Sequence, residues 1–205
     1  MNNFVPTRQR VLDAALSAFG TDGYSATSLD ALAAQLGVRK QTILYYFPSK
    51  QALFDSVIDA AAQDLVELFE QEASRGLTGI DQVEAIVRRI FRLAVNRPEL
   101  LGLVREVTRP GSITAGRLSA HVGPTVDRAR RFLEREMNAG RLRRSDPSML
   151  LLSLYSTVVG VASELEVQRA MGIPPSRRAT VVRRSELTRF LRAALAPTDA
   201  SAAVQ

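Results

Sequence analysis

Apolar residues recur every three to four positions along most of the chain, the spacing of one buried face on a helix. Near the start Val11, Leu12, Ala15, Leu16 and Phe19 share such a face. Near the end Leu187, Phe190, Leu191, Ala194 and Leu195 fall at i, i+3, i+4, i+7 and i+8. Turn-forming residues interrupt the pattern at Gly20-Thr21-Asp22-Gly23, Leu36-Gly37-Val38, Pro48-Ser49, Gly76-Leu77-Thr78-Gly79 and Asn96-Arg97-Pro98. Further breaks are predicted at Arg109-Pro110-Gly111-Ser112, Gly123-Pro124, Gly140, Asp146-Pro147 and Gly172-Ile173-Pro174-Pro175. No stretch alternates as a half-buried strand must, and no segment repeats. The pattern predicts an all-α chain of about nine helices.

Two of these helices have unusual faces. Residues 149–162 are apolar nearly all round, so they need cover from their own core and from another subunit. The final helix, about 177–196, sets its apolar stripe against an Arg-rich side. Two adjacent helices of this kind can build an isologous four-helix interface across a two-fold axis, which predicts a homodimer. The alternative is that both only complete the monomer's core.

Composition narrows the classes. At 205 residues the chain holds one or two domains around one main core. Absence of Cys excludes disulfides, a thiolate nucleophile and Cys-ligated metal. The single His, His121, offers no metal cluster and argues against a His-dependent triad. No run approaches the ~18–20 apolar residues of a membrane span. The start, Met1-Asn2-Asn3-Phe4-Val5-Pro6, lacks the basic and apolar segments of a secretory signal. The expectation is a soluble cytoplasmic protein with no metal and no cofactor. Lys plus Arg outnumber Asp plus Glu by 27 to 21, a net +6 that suits a polyanionic partner. Only Lys40 and Lys50 are lysines, and both fall in one short segment; a coding bias towards Arg would explain their scarcity as well.

That segment, residues 24–54, carries the chemistry. Thr27 and Asp30 have the spacing of a capping box, so a helix is predicted to start there, with Leu29, Leu32, Ala33 and Leu36 as its buried stripe. Gly37 supplies the left-handed conformation of a sharp inter-helix turn. A second short helix then runs from about Arg39 to Tyr46, with Ile43 and Phe47 inside. This is a helix-turn-helix pattern. Its outward positions are Arg39, Lys40, Gln41, Thr42, Tyr45 and Tyr46, and no acidic residue occurs from Ala31 through Ala52. A phosphate-facing surface requires that absence, because each carboxylate would oppose counterion release.

The run Gly37-Val38-Arg39-Lys40-Gln41-Thr42-Ile43-Leu44-Tyr45-Tyr46-Phe47-Pro48-Ser49-Lys50 resembles the signature of the tetracycline-repressor (TetR) family of transcriptional regulators. Val11, Ala14-Ala15, Phe19 and Gly23 agree with that family's first helix. The match covers residues 7–54; beyond it the likeness is architectural. Two positions depart from the family pattern. Arg39 stands where a capping Ser is usual, a loss on the order of 1 kcal/mol, and frees a guanidinium for a phosphate or a guanine edge. Leu44 stands where a Tyr is usual, and could meet a thymine methyl.

The resemblance implies a DNA-binding domain over residues 1–50 and an effector-binding and dimerisation domain over 51–205. It implies base reading by Arg39, Lys40, Gln41, Thr42 and Tyr45, with Lys suited to guanine and Gln to adenine. Thr27, Ser28, Tyr46 and Lys50 would grip the backbone, although Thr27 is also explained as a helix cap. Arg8 and Arg10 reach either DNA or solvent. Phe91, Arg105, His121 and Tyr155 are candidates for an effector pocket suited to an amphiphilic or anionic ligand. The alternatives are outward-facing arginines (Arg88, Arg89 and Arg92 with Arg105), a loop histidine and a core tyrosine. The expected protein is a homodimeric, ligand-responsive regulator, a repressor on a palindromic double-stranded operator, and no enzyme. A basic helical module that binds without reading sequence is the rival.

Overall fold

The computed structural model describes residues 6–109 and 115–197, and every regular element among them is a helix. The predicted leader reading at Met1–Val5 and the Pro110-Gly111-Ser112 break lie outside the described residues. In order the helices are α1 (Thr7–Thr21), α2 (Gly23–Ala26), α3 (Leu29–Leu36), α4 (Lys40–Tyr46), α5 (Lys50–Ala73) and α6 (Gly79–Asn96). They continue with α7 (Pro98–Thr108), α8 (Ala115–Asn138), α9 (Pro147–Ser163), α10 (Leu165–Ala170) and α11 (Arg177–Leu195). Among the described residues there are eleven, in keeping with the about nine expected once the short α2 and α10 are set aside.

Local chemistry sets most boundaries. Ser28, Asp146 and Ser176 each accept a hydrogen bond from the backbone N–H three residues on, at Ala31, Met149 and Ala179. The cap of α3 is therefore Ser28 and not Thr27. Thr27 ends α2 instead and donates its hydroxyl to the Gly23 carbonyl at 2.9 Å. The break expected at Gly123-Pro124 is absent, because α8 runs straight through it. A proline forfeits one backbone bond and crowds the preceding turn, and a helix of 24 residues absorbs that cost.

The chain divides into two compact units, neither contiguous in sequence. The first comprises Met1–Val66 and Arg97–Gly123. Its core joins α1 (Val11, Ala15, Phe19), α3 (Leu32, Ala33), α4 (Ile43), Phe47 and α5 (Leu53, Phe54, Val57, Ile58) to Leu103 and Val107 of α7. Phe54 packs edge-on to Phe19 at 4.9 Å and tilted against Tyr24 at 4.8 Å. Helices α1 and α7 cross at backbone contact. A Cβ placed on Gly102 would stand 1.8 Å from the Gly20 carbonyl oxygen, and one on Gly20 would stand 2.1 Å from that of Glu99. Only hydrogen fits at either position.

The second unit comprises Glu67–Asn96 and Pro124–Gln205. Val83, Val87 and Phe91 of α6 meet Val158 and Ala162 of α9 and Leu187, Leu191 and Leu195 of α11 in its interior. Two buried carboxylates fasten it. Glu84 accepts from Arg192 Nε at 2.6 Å, while the same guanidinium reaches Asp81 at 2.9 Å. Glu136 accepts from Arg141 at 2.6 and 2.9 Å and from the Gly79 N–H at 2.8 Å. These bonds hold the Glu136 carboxyl below its usual pKa against the opposing effect of burial.

The stripe read in the last helix divides. Leu187, Leu191 and Leu195 serve this unit's own core, whereas Phe190 is 60% exposed. Helix α9 is likewise not covered all round, since Met149, Leu152 and Tyr155 face outward. Among the described residues, no helix is long and apolar enough to cross a membrane.

Candidate DNA interface

Helices α3 and α4 are joined by a turn that Gly37 makes possible at φ 67°, a conformation costly to any residue with a Cβ. Its N–H groups close the end of α3: Val38 N–H donates to the Ala33 carbonyl at 3.0 Å. Arg10 adds a bond from Nη2 to the Leu36 carbonyl at 3.1 Å, so this cation ties α1 to the end of α3. Arg8 lies 5.2 Å from the centre of the Phe47 ring. Ile43 and Phe47 anchor α4 from beneath, as the sequence predicts.

The outer face of α4 then follows from its period. Arg39, Lys40, Gln41, Tyr45 and Tyr46 are exposed, Thr42 is half-buried, and Tyr45 reaches 82% exposure with its ring edge-on to Tyr46 at 5.1 Å. Large aromatic side chains left this open on a short helix are available to a binding partner. Arg39 occupies the N-cap without making a capping bond, as its chemistry requires. Leu44 is half-buried and packs against the first unit's core.

The backbone-gripping candidates fall into two groups. Ser28 accepts from Ala31 N–H through its oxygen and keeps a hydroxyl proton to donate; Tyr46 presents an exposed phenol. Thr27 is buried and donates its hydroxyl proton to the Gly23 carbonyl at the α2–α3 corner. Lys50 is partly engaged. Its ammonium lies 4.4 Å from the centre of the Tyr24 ring and 3.3 Å from the Ser25 carbonyl, which fixes the start of α5 to α2.

One contact escapes the sequence pattern. Lys40 Nζ donates to Asp30 Oδ2 at 2.8 Å, joining the first turn of α3 to that of α4. Asp30 lies one residue outside the acid-free stretch, and its ten-residue separation from Lys40 gives no periodic signal.

The effector candidates are dispersed. Arg105 and His121 belong to the first unit, where His121 Nε2 stands 3.5 Å from Asp59 Oδ1. Phe91 and Tyr155 belong to the second; Phe91 is buried and Tyr155 is half exposed. Arg88, Arg89, Arg92 and Arg105 are all exposed. An apolar hollow of about 590 Å³ opens in the second unit between α9 and α11, with Val161, Ile173, Val182 and Phe190 among its walls and none of the four candidates. Arg183 borders it, and burial pushes this guanidinium's pKa down. A smaller hollow of about 80 Å³ does include Phe91, beside Val95, Val181 and Arg184.

Residues 11–57 match the family model "Bacterial regulatory proteins, tetR family". The chain is 24% identical over 152 residues to the HTH-type transcriptional regulator RutR of Escherichia coli K12, covering 73% of this chain and 71% of that one. It is 24% identical over 164 residues to the HTH-type transcriptional regulator UidR of the same organism, covering 80% and 83%. Among solved structures, the fold is shared with the transcriptional regulator FadR from Bacillus subtilis in complex with stearoyl-CoA, at 15% identity, TM-score 0.73, and 91% and 98% coverage. It is also shared with a TetR transcriptional regulator from Chloroflexus aurantiacus, at 21% identity, TM-score 0.71, and 94% and 97% coverage. The helix-turn-helix just described lies inside the matched residues, and over that segment the chain is similar to the TetR family of bacterial regulatory proteins.

Proposed function

We propose that this protein is a TetR-family transcriptional regulator, a ligand-responsive repressor that binds a palindromic operator as a homodimer, with α4 lying in the major groove. The observation that carries the reading is the open face of α4. It offers two cations, a carboxamide and two phenols, and no acid occurs from residue 31 to 52. Such a face supplies donors for guanine and adenine edges from Lys40 and Gln41, with Arg39, Thr42 and Tyr45 around them. Ser28, Tyr46 and Lys50 would set register on the phosphates. Residues 1–50 would then hold the DNA contacts and 51–205 the sensing and dimerising body.

The exposed apolar residues of α9 and α11 support a two-fold interface between copies. Met149, Leu152, Tyr155, Val182 and Phe190 are all outward and apolar in character. A dimer would place two copies of α4 in successive major grooves, roughly 34–36 Å apart. The stearoyl-CoA bound to FadR supports an amphiphilic, anionic effector for a chain of the same fold. Such a ligand acts only through its differential affinity for two spacings of the readers, and a ~100-fold loss of operator affinity requires about 2.7 kcal/mol of coupling. DNA as the partner implies a cytoplasmic protein.

The test is selection of bound duplexes from a random pool at ~150 mM salt, which suppresses weak non-specific binding. An enriched inverted repeat is the expected result. Enrichment of a single half-site would remove the dimeric operator. Retention that follows salt and ignores sequence would replace the reading with a non-specific basic module.

A further inference from the structure

The ion pair between Asp30 and Lys40 puts an acid beside the face proposed to approach DNA. Residues 31–52 carry no carboxylate, yet Asp30 stands at the edge of that stretch with its side chain 71% exposed. It reaches over to the first residue of α4 and accepts from Lys40 Nζ at 2.8 Å. On a surface meant to approach phosphates, a carboxylate costs affinity for every duplex regardless of sequence. An exposed pair also contributes little to stability.

Lysine is a poor reader when left to itself. Its ammonium is a point charge on a flexible four-carbon stem, equally able to settle on a phosphate or a base edge. A carboxylate that accepts a hydrogen bond from one of its three N–H groups removes much of that freedom. Two protons remain, enough for the O6 and N7 acceptors of one guanine. The pair as a whole is neutral, so it would add hydrogen bonds to a base without adding counterion release.

We propose that Asp30 is a specificity-determining residue of the DNA interface that acts through Lys40, steering the ammonium to a base edge and withholding it from phosphates. The proposal rests on α4 reading DNA. Asp30 is a positioning residue and touches no base itself.

The experiment compares wild-type protein with Asp30→Ala, Asp30→Asn, Lys40→Ala and the Asp30→Ala/Lys40→Ala double variant. Each is titrated with the selected duplex and with a random duplex across a salt series. Freed of its carboxylate, Lys40 should move to a phosphate. Random-duplex affinity should then rise, and its salt dependence should steepen by about 0.9 in log–log slope. The ratio of selected to random affinity should fall roughly tenfold, within the range of one bidentate base contact. Asp30→Asn keeps the shape and an acceptor oxygen but loses the charge, so it should steepen the slope likewise. In the Lys40→Ala background, removal of Asp30 should bring no further fall in the ratio.

Asp30 at the N-terminus of α3 also suits the helix dipole. If that were its whole role, both Asp30 variants would lower the melting temperature and leave ratio and slope unchanged, which would overturn the proposal. So would a ratio that falls just as far when Lys40 is already absent. Failure of the underlying reading looks different: wild-type protein would then show no preference between the duplexes, and both conclusions would fall together.

Discussion

At Gln41 the carboxamide is exposed on α4 and positioned beside Lys40. Gln41→Ala should cost about 1–3 kcal/mol of discrimination at one base step. Competition titrations with single-base operator variants would measure it, and an equal loss on all duplexes would deny Gln41 a reading role. Arg39, Lys40, Gln41 and Tyr45 were legible as outward residues because a short amphipathic helix leaves little choice of face. The roles of Thr27, Leu44 and Arg10 were not legible. Each depends on a neighbour distant or ambiguous in sequence: the Gly23 carbonyl, the packed core and the Leu36 carbonyl. A capping-box spacing cannot say which of two adjacent hydroxyls faces the helix end, and at Thr27-Ser28 the second one does.

Among the elements, the crossing of α1 and α7 makes the sharpest stability prediction. An alanine in a helix interior ordinarily stabilises by up to about 1 kcal/mol relative to glycine. Gly102→Ala should do the reverse, by roughly 1–3 kcal/mol, because its Cβ would displace the Gly20 backbone. Gly160 in α9 has open space around it and should follow the ordinary rule. Urea unfolding of the two variants would show opposite signs. The junction of α6 and α8 predicts a pH effect. Glu136 is more acidic in the folded chain than in the unfolded one, with Arg141 as the main cause. The unfolded state therefore binds the proton first on acidification. The stabilisation is complete above the unfolded pKa of about 4.3 and is lost as pH falls through the lower native value. Glu136→Gln should destabilise by about 1.5–3 kcal/mol at neutral pH and flatten the acid-side decline in stability. Unfolding curves at pH 7 and below about pH 4 would separate those two effects. Helix periodicity could find these elements, but it could not find a close crossing between glycines 82 positions apart.

For the molecule as a whole, the division of the last helix alters how dimerisation should be tested. Leu187 and Leu191 are 3% and 4% exposed in the unit's own core, so placing Glu there would unfold the unit rather than separate two copies. Leu152→Glu with Phe190→Glu changes the outward face instead, where these residues are 55% and 60% exposed. The double variant should keep its helical content and sediment as a monomer. It should also bind an inverted repeat no more tightly than a half-site. The fold class was legible because helical periods dominate the chain. The partition into units was not, since it pairs residues 97–123 with the N-terminal segment across an intervening helix. That partition also bears on how such proteins can be recombined. A splice made at a single point after residue 50 would carry off α1, α3 and α4 but leave behind Leu103, Val107 and the Gly102 seat on which α1 rests. If α4 reads an operator as proposed, transplanting that preference onto another sensor takes two inserts, up to Val66 and from Arg97 to Gly123, and a lineage exchanging readers by one crossover would inherit a module with its floor missing.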